Sequence, residues 1–572
     1  MAMNKTLAIL LLGAALPLCG AGEAPIWCVG ESVKVKPGDQ PQAKNLIWDG
    51  PTKTVTLGSA RNEYVAFQVA IRAADAGLQD VTVIPGELKN ANGAVIPPAN
   101  TDLFVEHYLD VKVSSRGGGE PKDILPYCTT GEHPTQMTPF SAKKFGAPFA
   151  VAAGRNQPVW VDIYVPEDAK VGLYEGTLRI KAGEAALGEV KVRLSVWDFV
   201  LPHETHFHSY LYTGPENLSW GHRVPDQESA KFSALEDRYF QMAHQHRLNF
   251  HPSAGGIVNE IGKRYAKYYD GSAFAERVGK GVGQNILCMS PEGETEAAIR
   301  SGAKAIVDLY EARKFSGAIF GYMWDEPHSN EDFATSKQRC KWVHEAVGKK
   351  LKTFIATPQW QRYDGGDVDI YSETEVADIP KVLARGDTVW AVNRGYGAGP
   401  YVDSPGFGGR SIVWMNWKMK LGGWQFWDCC YWVDKQNRKH KEGKKWVSDM
   451  SYKEINANPE KYITDLWNDP LNFDESRKKG YPVAWSIRIN GDGLLFYPGY
   501  DVGIDGPIAS FAMKSLRRGA QDYEYLWLLK QKGKEAESDA IVDTVCPAAD
   551  KWNEDPEAWD RARLKLAELL AK

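Results

Sequence analysis

The chain has 572 residues, too many for one compact core, so two or three domains are expected. Hydrophobic residues make up 43% and charged residues 25%, the balance of a soluble globular protein. The net charge of −5 argues against a polyanionic partner, and no run of Lys or Arg points to nucleic acid.

The N-terminus reads as a secretory signal over residues 1–21. Lys5 supplies the positive charge, Leu7 to Leu18 is an apolar run of h-region length, and small residues near Ala21 follow. This predicts a secreted or periplasmic protein. Bulky Leu18 directly before Cys19 disfavours a lipoprotein anchor. The run is too short to span a bilayer, and no later segment is apolar enough to be a transmembrane helix. Of the eight Cys, seven remain after removal of the signal, so at least one is unpaired within the chain. Cys28 and Cys128 could bridge, whereas the neighbours Cys429 and Cys430 are expected to pack.

Residues 22–200 read as a β-sandwich. Val159, Val161, Ile163 and Val165 alternate with Trp160, Asp162 and Tyr164, and Tyr174 to Ile180 alternates again, which predicts a hairpin across Pro166 to Gly172. Turn signals such as Asn92-Gly93 recur, and helical periodicity is scarce.

After Leu201-Pro202 the pattern changes, and residues 201–505 read as a (β/α)8 barrel. Strand candidates are His206 to Thr213, Asn285 to Met289, Ala318 to Trp324, Phe354 to Thr357, Val368 to Tyr371, Thr388 to Val392 and Gly422 to Tyr431. Between them lie helical faces: Phe232, Leu235, Tyr239 and Met242; Ile299, Ala303, Ile306 and Leu309; Phe333, Cys340, Val343 and Val347, with Gly348 placed to end the last. Repeated strand-then-helix units predict a parallel barrel. No Gly-rich phosphate loop opens a helix, which disfavours a doubly wound sheet. Residues 506–572 read as a helical C-terminal region packed on the barrel. Asp555-Pro556 is a helix start, with Trp559, Ala562, Leu566 and Leu569 as its apolar stripe.

The sharpest chemical signal is Gly321-Tyr322-Met323-Trp324-Asp325-Glu326-Pro327. Two acids close an apolar strand, and the C-terminal strand ends form the active face of such a barrel. Adjacent strand residues point to opposite faces, so both acids reach one substrate only if the strand breaks, which Pro327 favours. The competing reading is a helix start, with acids near a helix N-terminus. An adjacent Asp-Glu pair suits substrate-assisted hydrolysis of a β-linked 2-acetamido sugar with retention: Glu326 as acid/base, Asp325 as the acetamido stabiliser, and no protein nucleophile. No cofactor and no metal are implied. The spacing of His203, His206 and His208 is not that of a zinc site, and G-x-S-x-G is missing.

The sequence resembles glycoside hydrolase family 123, whose known activity is β-N-acetylgalactosaminidase. The resemblance runs through Val196-Trp197-Asp198-Phe199-Val200-Leu201-Pro202, the catalytic pair Asp325-Glu326-Pro327, the glycine-rich Gly491-Asp492-Gly493-Leu494-Leu495-Phe496-Tyr497-Pro498-Gly499, and Arg517-Arg518-Gly519-Ala520-Gln521-Asp522-Tyr523-Glu524-Tyr525-Leu526. It implies a sandwich followed by a catalytic barrel. The family's strand at Trp390-Ala391-Val392 often reads Trp-x-Tyr. Val392 departs from this, and Asn393 or Tyr396 could stand in.

The chain has 20 Trp and 25 Tyr, and flat amphipathic rings suit the C–H faces of sugars, although most are expected to fill the core. Trp414, Trp417, Trp424, Trp427 and Trp432 crowd one stretch with Asp428. Trp427 is expected as a floor under the sugar and Asp428 as a hydroxyl ligand. Trp424, Asn393, Tyr371, His208 and Arg410 are further candidate substrate contacts, Arg410 being equally suited to a structural salt bridge. Two other readings stand beside the carbohydrate-active one: a glycosidase on a non-acetamido sugar with Asp325 or a distant carboxylate as nucleophile, and a non-catalytic sugar-binding protein on a barrel scaffold.

Overall fold

The computed structural model describes residues 25–117, 125–252, 261–433, 439–442, 445–448, 451–474 and 487–572. The expected signal over 1–21 lies outside them. No described helix is long and apolar enough to cross a membrane.

The first part of the chain is a two-sheet sandwich. One sheet orders Ile26–Gly30, Glu63–Arg72, Asn156–Val165, Thr101–Val111 and Gly131–Pro139; the other is built around Leu78–Pro85, Gly172–Ala182, Ala185–Val200 and Thr54–Arg61. Alternate residues such as Val69, Val159, Val161, Ile180 and Val192 meet between the sheets. The expected hairpin is not formed. Asn156–Val165 pairs with Glu63–Arg72 and Thr101–Val111, while Gly172–Ala182 pairs in the opposite sheet. Alternation reports which face of a strand is buried, not which neighbour it bonds to. The Cys28–Cys128 bridge is also absent. Both thiols are free and buried, Cys28 in the sandwich core and Cys128 in a separate cluster with Tyr401 and Ile489.

Eight parallel strands follow: β1 (Ser209–Thr213), β2 (Phe250–Pro252), β3 (Ile286–Cys288), β4 (Ala318–Asp325), β5 (Lys352–Ala356), β6 (Ile370–Ser372), β7 (Thr388–Val392) and β8 (Gly423–Phe426). β8 pairs with β1, so the sheet curls into a barrel. The seam between β2 and β3 is bridged by side chains: Asn249 Nδ2 donates to Asn285 Oδ1 (2.6 Å), and the Cys288 N–H donates to His251 Nε2 (3.3 Å). Inside the barrel pack Tyr210, Ile286, Cys288, Phe320, Phe354 and Trp390. Residues of opposite parity, including Ile319, Met323, Ile355, Tyr371 and Trp424, pack under the surrounding helices.

The helices start and stop where local chemistry dictates. Asn330–Val347 is opened by a Ser329/Asp332 capping box and followed by Gly348 at φ 61°. Asp555 caps Pro556–Ala571. Phe511–Gln531 lies against Gly408–Lys418, where Gly519 permits close approach; a Cβ there would stand 2.8 Å from Val413 Cγ2.

Candidate active site

Tyr322 of β4 opposes Phe354 of β5, but the next pairs are Trp324 with Ile355 and Asp325 with Ala356, so Met323 is one residue extra. Such a bulge inverts side-chain parity. Met323 and Trp324 both lean on the outer layer, while Asp325 comes level with Ala356, whose side chain lies inside the barrel. The strand then breaks at Glu326, whose φ is +45°, in the left-handed region. For a residue with a Cβ that geometry costs about 1–3 kcal/mol and persists only where its surroundings impose it. Here the Glu326 N–H is held by the Ala356 carbonyl at 3.1 Å. The break expected from Pro327 is therefore a bulge followed by a left-handed turn. The competing helix-start reading fails, because Ser329 and Asp332 supply the capping.

The Tyr322 hydroxyl donates to Asp325 Oδ1 at 2.8 Å. Burial, then the Asp325 charge, push its pKa up, so the phenol stays protonated and remains a donor. Tyr322 is also hydrogen-bonded by Gln425, which projects inward from β8 on the far side of the barrel. Glu326 Oε2 lies 3.8 Å from His328 Nε2 at the exposed rim. A third carboxyl joins the pair. Glu373, directly after β6, is half-buried with φ +61°. Burial first, then the charges of Glu326 and Asp325, raise its pKa to about 7. Buried Ser372 Oγ and Gln425 Oε1 line the same end without a protein hydrogen-bond partner among the described residues.

Trp427 and Asp428 follow β8, at the same end of the parallel barrel as Asp325. Trp427 is half-buried beside Tyr431 and Phe473, with ring centroids 4.9 and 6.0 Å away. Its indole N–H donates to Asp492 Oδ1 at 3.2 Å. Burial raises the Asp492 pKa to about 6. Gly491 and Gly493 flank it at φ +79° and +71°, so the glycine-rich signature is the mount of Trp427. Asp428 is buried and accepts from Asn217 Nδ2 at 3.0 Å and from the Cys430 N–H at 2.8 Å, so it braces the rim. Asn393 follows β7 at φ +52° and its Oδ1 accepts the Trp427 backbone N–H at 3.3 Å. The Tyr396 hydroxyl is bound to the Thr374 carbonyl at 2.5 Å.

Four expected contacts are placed elsewhere. His208 precedes β1, at the opposite end of the barrel, and its Nδ1 meets the Gly422 carbonyl at 3.0 Å. Trp424 is wholly buried in the outer layer and donates to the Asn393 carbonyl at 2.8 Å. Tyr371 also faces outward, its hydroxyl held by Arg385 Nη2 at 3.0 Å. Arg410 is wholly buried between Asp522 and Asp560, both at 2.6 Å, and takes the structural salt-bridge role. The first three fail on position and parity: a residue on a predicted strand can face either side or lie at either end. Of the five clustered Trp residues, Trp414, Trp417, Trp424 and Trp432 are core, and Trp427 alone stands at the mouth.

Sequence reasoning missed Glu373, Tyr322 and Gln425. Glu373 carried a usable signal, an acid just past a barrel strand, which is the same rule that selected Asp325. Among the described residues no group of three or more His, Cys, Asp or Glu is arranged to hold a metal.

Residues 42–182 match the model of the glycoside hydrolase 123 N-terminal domain. No curated protein matches the chain in sequence. Among solved structures, a family 123 glycoside hydrolase from Clostridium perfringens, described in terms of glycolipid glycan hydrolysis, superposes with a TM-score of 0.63 over 95% of this chain and 97% of its own, at 12% identity. A Bacteroides ovatus family 5 xyloglucanase matches far more loosely, with a TM-score of 0.20 at 9% identity over 65% of this chain and 92% of its own, and carries no argument. The chain thus carries the glycoside hydrolase 123 N-terminal domain and has the fold of a family 123 glycoside hydrolase.

Proposed function

We propose that the chain is a retaining β-N-acetylhexosaminidase, of β-N-acetylgalactosaminidase type, working by substrate assistance. The observation that carries this reading is the Met323 bulge with the left-handed Glu326, which brings two consecutive carboxylates to one barrel mouth. In the first step Glu326 protonates the glycosidic oxygen as the C1–O bond breaks. The acetamido carbonyl oxygen of the substrate attacks C1, forming an oxazolinium ion. Asp325 accepts the acetamido N–H and balances the developing charge. Tyr322 occupies Asp325 Oδ1 and leaves Oδ2 for that contact. In the second step the Glu326 carboxylate takes a proton from water as the water attacks C1, the C1–O bond to the acetamido oxygen breaks to restore the acetamide, and two inversions give retention.

The test is an aryl-glycoside panel with β-GalNAc and β-GlcNAc beside plain galactosides. Release confined to the 2-acetamido sugars, with inhibition by a thiazoline mimic, is expected. A fluorosugar ester trapped on a carboxylate, found by peptide mass spectrometry, would replace substrate assistance with a protein nucleophile. Export is part of the proposal and rests on residues 1–21; a mature N-terminus near Ala21 in secreted material tests it.

A further inference from the structure

We propose that Glu373 is a third working carboxyl of this mouth, donating a hydrogen bond from its protonated form to a hydroxyl oxygen of the bound sugar. The inference rests on the glycosidase reading above.

The placement comes from register. Asp325 of β4 is level with Ala356 of β5, which is level with Ser372 of β6. Glu326 and Glu373 are the next residues on either side, each in the left-handed region at +45° and +61°. Neighbouring strands lie about 4.8 Å apart, so the two backbones stand roughly 10 Å apart across β5. Both residues follow the C-terminal ends of their strands, so Glu373 stands at the same mouth as the acid pair, two strands away. An off-region φ at each of two carboxylates is where a fold spends strain on function.

The surroundings decide the protonation state. From β4, Glu373 faces Asp325, Glu326 and the Tyr322 phenol; from the loop after β7 it faces the Tyr396 phenol; Glu375 lies on its own loop. Arg394, also after β7, is exposed and interacts with Tyr396. No Lys, Arg or His lies within salt-bridge distance of Glu373 among the described residues. Half-burial beside two like charges holds the proton to about pH 7. A carboxyl protonated near neutrality is a poor nucleophile and a good donor, which separates Glu373 from the attacking carboxylate of an ordinary retaining glycosidase.

The experiment uses the full wild-type chain, with and without Glu373→Gln; Glu326 then keeps the charge that helps hold the Glu373 proton, and N-acetylgalactosamine has no glycosidic bond to cleave. N-acetylgalactosamine binding is measured by calorimetry, and the protonated-carboxyl band by infrared difference spectroscopy, as pH rises from about 6 to about 8. In the wild type Kd should rise about tenfold, the loss of one donor bond, as the band disappears with a midpoint near 7. Glu373→Gln should abolish that band and make binding independent of pH, because the amide keeps a donor. Binding that is pH-independent in the wild type, or a band component of midpoint near 7 that survives Glu373→Gln beside the Asp492 component near 6, overturns the proposal alone. If neither the wild type nor Glu373→Gln binds the sugar at any pH and the wild type cleaves no acetamido glycoside, the function reading fails and takes this one with it.

Discussion

Two regions of the molecule gather carboxylates, and they treat them oppositely. At the joint between sandwich and C-terminal helices, each acid is buried against cations. Asp162 takes Arg517 Nη1 at 3.0 Å and Lys514 Nζ at 2.7 Å. Glu63 meets Arg518, Arg563 and the Tyr525 hydroxyl, and Asp522 meets Arg410 and Arg563. Burial pushes Asp162 up, but the charges of Arg517 and Lys514 outweigh it and hold the carboxyl well below its usual range. At the barrel mouth, Asp325 has a phenol for a partner, Glu326 an exposed imidazole, and Glu373 mainly its two acidic neighbours. A carboxylate locked by guanidinium groups cannot exchange a proton near neutrality. One beside other acids can, and that is the arrangement acid–base chemistry needs. The signature Arg517 to Leu526 therefore belongs to assembly, and the proposed reaction falls to Asp325-Glu326.

Substitutions can break this contrast. The largest effect is expected at the mouth. Glu326→Gln should lower kcat for a poorly activated glycoside about 10²–10⁴-fold. Its side chain is 58% exposed, so Tm should stay unchanged. A fall in Tm with intact kcat would reverse the roles assigned to the two regions. Asp162→Ala should do the opposite. It strands two buried cations and should cost about 3–5 kcal/mol in urea denaturation, while kcat of the folded fraction is preserved. Tyr322→Phe removes the donor to Asp325. A hydrogen bond to a charged group is worth about 1.5–3 kcal/mol, so kcat should drop roughly 10–100-fold with little change in KM. If KM alone rises, Tyr322 binds substrate and does not position Asp325. The smallest effect is expected for Trp427→Phe. Losing the indole N–H to Asp492 should raise KM by about tenfold or less and leave kcat nearly constant, read from initial rates.

Much of the architecture is written locally. Period-two alternation marked the sandwich strand Asn156–Val165, a continuous apolar run marked β4, and period-3.6 patterns marked the helices Asn330–Val347 and Pro556–Ala571, because burial leaves its mark along each segment. The Asp325-Glu326 pair was visible as charge interrupting an apolar strand. Periodicity also misled: the stripe of the last helix buries Leu570 more fully than Leu569, and Tyr371 and Trp424 turned outward.

By itself, then, the sequence determined the two-part architecture, the strand that carries the acids, and which end of that strand they occupy. Only the tertiary structure decided that both acids serve one mouth. Asp325 turns inward because the hydrogen-bond register with β5 absorbs Met323 as a bulge, and Glu326 turns because the Ala356 carbonyl captures its N–H. Only the tertiary structure set Glu373, 47 residues further along the chain, beside them, and claimed Arg410 for Asp522, 112 residues away. Side-chain direction at a bulge and the identity of a charge partner depend on contacts between distant segments, and local periodicity carries no record of them.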